Sequence, residues 1–88
     1  MTKCNTKTAG IDTSKDKLDV AINGSTTFWQ VENTALGWPH VAERLTAAGV
    51  TRVGIEATGG YERGVVRYLR AKGFTVLVLQ PAQVKAYA

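Results

Sequence analysis

The order of hydrophobic periods along the chain constrains its fold most. Thr8 to Asp12 reads as a strand, and Leu18, Val20 and Ile22 then alternate with Lys17, Asp19 and Ala21 at the period of a half-buried strand. Asn23-Gly24 is a hairpin signal, and Thr26 to Glu32 supplies the β-formers Phe28, Trp29 and Val31 of a third strand. The period then lengthens. Trp38, Val41, Leu45 and Ala48 recur at helical spacing, with Asn33 or Thr34 placed as cap, Pro39 in or near the first turn and Gly49 as the stop. Arg52 to Ala57 returns to strand. Tyr61 to Lys72 is a second helix, with Tyr61, Val65, Tyr68 and Leu69 on one face and Gly73 at its end. Thr75 to Leu79 is an unbroken apolar run, as in a parallel strand buried on both faces, and Pro81 can open a third helix, Ala82 to Ala88.

This order, β-β-β-α-β-α-β-α, predicts an α/β fold. A three-strand meander followed by strands joined through helical crossovers gives a mixed five-stranded sheet of order 3-2-1-4-5, in which strands one, four and five run parallel. Both crossovers move the same way across the sheet, so right-handedness places both helices on one face. The other face, including part of the run Val76 to Leu79, is left without a cover. Self-association through that face, or packing of Pro81 to Ala88 across it, is the expected remedy.

A chain of 88 residues is enough for one domain, and a hydrophobic content of 44% excludes a disordered chain. Residues 1–8 read as a flexible N-terminus and residues 9–88 as the domain. Eleven Lys and Arg against seven Asp and Glu give a net charge of +4, which suits a polyanionic partner without demanding one. Cys4 is the single cysteine, so no intrachain disulfide can form, which favours a reducing, cytoplasmic setting. No apolar run approaches the roughly 20 residues that cross a bilayer, so no membrane partner is expected.

Two acids stand where buried strands should end: Asp12 after Ala9-Gly10-Ile11, and Glu56 after Val53-Gly54-Ile55. Each precedes a small polar turn, Thr13-Ser14-Lys15 and Thr58-Gly59-Gly60. A carboxylate at such a place costs several kcal/mol unless it is compensated. The predicted strand order sets the two on neighbouring parallel strands, about 4.8 Å apart, at the carboxyl ends where open α/β sheets bind their ligands. Paired carboxylates with no Cys or His beside them suit a hard cation held by oxygen, Mg²⁺ or Mn²⁺. Phosphodiester cleavage by two such ions generally takes three or four carboxylates. Asp16, Asp19 and Glu62 are the other nearby acids; they read as turn, strand and helix-start residues rather than ligands.

Gly10-Ile11-Asp12-Thr13-Ser14-Lys15 with Leu18-Asp19-Val20-Ala21, then Gly54-Ile55-Glu56-Ala57-Thr58-Gly59-Gly60-Tyr61, then Gln80-Pro81-Ala82-Gln83-Val84-Lys85, closely resemble the DEDD-type insertion-sequence transposases. That family includes the pilin-gene invertases and the bridge-RNA-guided recombinases. Each motif alone is weakly specific; three in order at this spacing carry the resemblance, which runs from Ala9 to the end of the sequence. It implies an RNase H-like domain of the Holliday-junction-resolvase type, with Asp12 and Glu56 as the first two members of a D-E-D-D metal tetrad. It also implies DNA as substrate, metal-dependent strand cleavage and exchange, Mg²⁺ or Mn²⁺ as cofactor, a structured guide RNA in some members and a homo-oligomer. The family's remaining two aspartates follow the stretch that matches residues 84–88, so the resemblance makes this chain an N-terminal fragment of a bacterial or archaeal protein. Such a fragment is expected to be inactive and to hold metal weakly or not at all.

Other residues admit plainer readings. Lys15 can meet a phosphate or the carboxylates, or stand as a solvated loop lysine. Arg63, Arg67 and Arg70 form a stripe at i, i+4 and i+7, either a nucleic-acid contact or a solvated helix face. Thr13, Ser14, Thr58, Gly59 and Gly60 can serve phosphate binding as well as turn geometry. Trp29, Trp38, Tyr61 and Tyr68 are read as packing. Two competing functions remain at this point. One is the phosphate-binding lobe of an actin-like ATPase or sugar kinase, which also opens on a Gly-Ile-Asp strand. The other is a non-catalytic module for nucleic-acid binding or multimerisation.

Overall fold

A computed structural model describes residues 7–57 and 59–80. Its elements follow the order β1 (Lys7–Thr13), β2 (Lys17–Ile22), β3 (Phe28–Glu32), α1 (Trp38–Ala47), β4 (Val50–Glu56), α2 (Arg63–Ala71) and β5 (Thr75–Leu79). The five strands form one sheet in the order β3-β2-β1-β4-β5. β2 is antiparallel to β1 and β3, while β4 is parallel to both of its neighbours. The expected third helix and the residue Thr58 lie outside the described residues.

Alternation along the strands divides the sheet into two unlike faces. Ala9, Ile11, Leu18, Val20, Val53, Ile55 and Val76 are buried beneath the helices, where Val41, Ala42 and Leu45 of α1 and Val65, Val66 and Leu69 of α2 complete the core. Both helices therefore cover one face, as right-handed crossovers require. On the opposite face, the strand registers place Phe28, Ala21, Gly10, Gly54 and Leu77 in one row across the sheet. Phe28 is 75% exposed and Leu77 36%. Among the described residues nothing layers over that row. Burial of β5 on both faces is therefore a point of correction: Val76 is its one buried residue, because β5 is an edge strand with a single covered face.

Several local expectations also shift. The β2–β3 connection takes five residues rather than the three between Ile22 and the expected start at Thr26; the turn forms at Asn23-Gly24, with Ser25 N–H donating to Ile22 O and Gly24 at φ +82, but pairing resumes only at Phe28. α1 starts at Trp38 with Gly37 in the cap position, not Asn33 or Thr34. Thr34 Oγ1 instead accepts from the N–H groups of Leu36 and Gly37 and shapes the turn before the helix. α2 begins at Arg63, so Tyr61 falls in the preceding turn and is 47% exposed rather than packed.

The two helices meet through Trp38, whose indole lies 6.1 Å from the Tyr68 ring and against the backbone of Gly64. A Cβ at Gly64 would fall inside the Trp38 ring, whereas one at Gly10 would meet open space. Gly64→Ala is therefore expected to destabilise the fold by about 1–3 kcal/mol through overpacking, and Gly10→Ala to be neutral or slightly stabilising. Urea unfolding of the two variants checks this; equal stability would contradict the wedge.

Candidate functional site

β1 and β4 are parallel neighbours in register from Thr8–Arg52 to Ile11–Ile55. One step beyond Ile11 and Ile55 come Asp12 and Glu56, side by side at the carboxyl ends of the strands. Their neighbours Ile11 and Ile55 are fully buried on the helix-covered face, so alternation turns both acids to the open face. Asp12 is exposed and Glu56 half-buried. The neighbouring Asp12 carboxyl raises Glu56 above the ordinary carboxylate value, first through side-chain hydrogen bonding, and partial desolvation and the Asp12 charge push the same way. Two adjacent carboxylates resist double ionisation; a proton or a cation between them relieves the repulsion.

Thr13 lies on the other side of the β1 backbone. It is the buried polar residue of the described core, and its Oγ1 donates to Glu56 O at 3.2 Å, latching the ends of β1 and β4 together. Ser14 closes the β1–β2 turn, accepting from Lys17 N–H at 3.2 Å and donating to Lys17 O at 3.1 Å. Lys15 sits exposed at the tip of that turn. Gly59 and Gly60 have φ of +58 and +92, so the turn reading of this pair holds.

The arginine stripe is not gathered with the carboxylates. Arg63, Arg67 and Arg70 run along α2, on the covered side of the sheet, and with Glu62, Val66 and Val78 line a shallow depression of about 350 Å³. Arg70 also has a structural partner: its Nη2 donates to Val76 O at 2.9 Å on β5.

Beside the pair stand Asp19, already read from the sequence as a nearby acid on a strand, and Asn33, which was not placed there. Asp19 stands directly across from Asp12 on the open face, and Gln30 Nε2 donates to its Oδ1 at 2.9 Å. The short Ser14–Lys17 turn was the available signal, because hairpin length fixes register. Asn33, expected as a cap, instead bonds to both turns beside the acids. No group of three or more metal-ligating side chains gathers among the described residues. No described helix is long and apolar enough to cross a membrane.

Because the folded-state value of Glu56 is raised, its contribution to stability is present below the ordinary glutamate value and lost as pH rises through the raised one. In chelator-treated protein, stability is expected to fall with rising pH across that interval, and Glu56→Gln to flatten the step and exceed the wild type at neutral pH. Thr13→Val, which removes the latch, is expected to cost about 0.5–1.5 kcal/mol. Urea unfolding from pH 4 to pH 8 measures both effects.

No match was found among curated proteins. A family model described as a transposase, of the DEDD type and the IS110 group, matches residues 9–88. The mixed sheet of order 3-2-1-4-5 with its crossover helices agrees with the RNase H-like fold. The chain belongs to the DEDD transposases of the IS110 type.

Proposed function

We propose that Asp12 and Glu56 are the catalytic, cation-holding carboxylates through which this transposase chain contributes to metal-dependent cleavage and exchange of DNA strands. The observation that carries this reading is the parallel register of β1 on β4, which sets the two acids side by side at the carboxyl ends of adjacent strands. Their oxygen-only donor set suits Mg²⁺ or Mn²⁺. A bound ion would supply Lewis-acid polarisation of a phosphoryl oxygen and activation of a nucleophile. Two ligands leave most of an octahedral shell to water, and after Glu56 the sequence holds a single acid, Glu62. The pair is therefore a partial site with weak cation affinity.

The chain's own groups have separate tasks in this reading. Thr13 holds the strand end that bears Glu56. Gly59 and Gly60 let the β4–α2 turn approach a phosphate closely, with the Thr58 hydroxyl as a further donor, while the Ser14 hydroxyl is already given to Lys17 O. Lys15, Arg63 and Arg67 meet the nucleic-acid backbone, DNA or a structured guide RNA, with Arg70 a lesser contributor because it already bonds Val76 O. The open sheet face with Phe28 and Leu77 favours a homo-oligomer.

Titration with Mn²⁺ is expected to broaden the amide signals of Asp12 and Glu56 ahead of all others, and Asp12→Asn with Glu56→Gln to abolish that selectivity. Unselective broadening in the wild type would overturn the cation site. For branched DNA, the double variant Arg63→Ala, Arg67→Ala is expected to reduce the slope of log affinity against log salt by about 0.9 for each phosphate no longer neutralised. An unchanged slope would return the stripe to a solvated helix face.

A further inference from the structure

Asn33 follows β3 directly, two strands away from β1, yet its hydrogen bonds lead to the turns beside the two acids. Its backbone N–H donates to Asp16 O at 2.9 Å. Its side-chain Nδ2 donates to Ser14 O and to Tyr61 O, each at 2.9 Å. Its Oδ1 accepts from Trp38 Nε1 at 2.9 Å. Ser14 lies two residues past Asp12, and Tyr61 five residues past Glu56.

We propose that Asn33 is a positioning residue for the Asp12–Glu56 pair: its side-chain amide straps the β1–β2 turn to the β4–α2 turn and so fixes the separation of the strand ends that carry the acids. The chemistry of the position selects the residue. It needs one acceptor and two donors in one plane on a short stem, which only the asparagine side chain supplies. Aspartate has no donor, serine has one, and glutamine is a methylene longer. Trp38 settles which way the amide faces. An indole N–H can only donate, so Oδ1 is turned to it and Nδ2 to the two carbonyls. Trp38 is itself held against Gly64 and Tyr68, so the amide is anchored to the packing of α1 on α2.

The strap does not serve the ordinary structural tasks of an asparagine here. Gly37 and Thr34 shape the start of α1, so Asn33 is not its cap. Asn33 is half-buried and stands apart from the apolar core. What it joins are two turns next to like charges, one of them built on the positive φ of Gly59 and Gly60. The Thr13 latch ties the same strand ends at the backbone, and Asn33 ties them one turn further out.

The test is amide hydrogen exchange with carboxyl ¹³C spectroscopy on Asn33→Ala, a variant that changes no charge. Exchange is expected to accelerate about tenfold at Ser14 and Lys17 in one turn and at Arg63, which donates to Gly60 O, in the other, with the amides of Ile11 and Ile55 unchanged. The Asp12 Cγ and Glu56 Cδ signals at neutral pH are expected to move together. Acceleration in one turn alone, or in neither, would overturn the strap. Acceleration in both turns with unmoved carboxyl signals would overturn the positioning role. Should Asn33→Ala not fold, Asn33→Ser, which keeps a short uncharged polar side chain with one donor where two are needed, is read the same way: acceleration of both turns with moved carboxyl signals supports the proposal, and any other pattern overturns it. What the pair does rests on the cation-site reading. Unselective Mn²⁺ broadening in the wild type would sink that reading and leave both of these readouts standing.

Discussion

The parallel register of β1 on β4 is the constraint on which the rest depends. With Ile11 beside Ile55, the next residues on the two strands are both acids, and both face away from the helices. A shift of one residue would turn one carboxylate into the core, where an unpaired charge costs several kcal/mol. The buried isoleucines therefore hold the acids together as firmly as they hold the core. Electrostatics opposes this, as the raised Glu56 records. The sheet keeps two like charges adjacent because hydrophobic burial on its other face outweighs their repulsion.

The same division of faces sorts the remaining chemistry. The helix-covered side holds the apolar core, Thr13 and the Trp38 wedge. The open side holds the row Gln30, Asp19 and Asp12, with Glu56 next in line, above an apolar row that includes Phe28 and Leu77. The arginines of α2 lie on the other side of the sheet from the acids. A nucleic acid that touched both would have to pass around the edge at β5. There Arg70 already caps Val76 O, the outward-facing carbonyl of an edge strand.

Much of this was legible in the sequence because it rests on periodicity. Alternation in Leu18, Val20 and Ile22, helical spacing from Trp38 to Leu45, and the handedness of crossovers were enough for the sheet order and the common face of the helices. Asp12 and Glu56 stood out because acids rarely end buried strands. Side-chain hydrogen bonding was not legible. Asn33 looks like a cap in one dimension, since its partners Ser14, Tyr61 and Trp38 converge only after the sheet forms. Tyr61 looked like part of the helix, because nothing local marks Gly59-Gly60 as delaying its start to Arg63. Apolar content alone misread β5 as buried on both faces, while the sheet order, which put it at the edge with one face uncovered, read it correctly.

The central claim is that Asp12 and Glu56 act as one electrostatic unit. Titration of the Glu56 side-chain carboxyl carbon by NMR, in the wild type and in Asp12→Asn without divalent cation, tests it most directly. The Glu56 midpoint is expected above that of an ordinary glutamate, returning toward the ordinary value in the variant. A Glu56 midpoint that is ordinary in the wild type, or indifferent to Asp12→Asn, would contradict it.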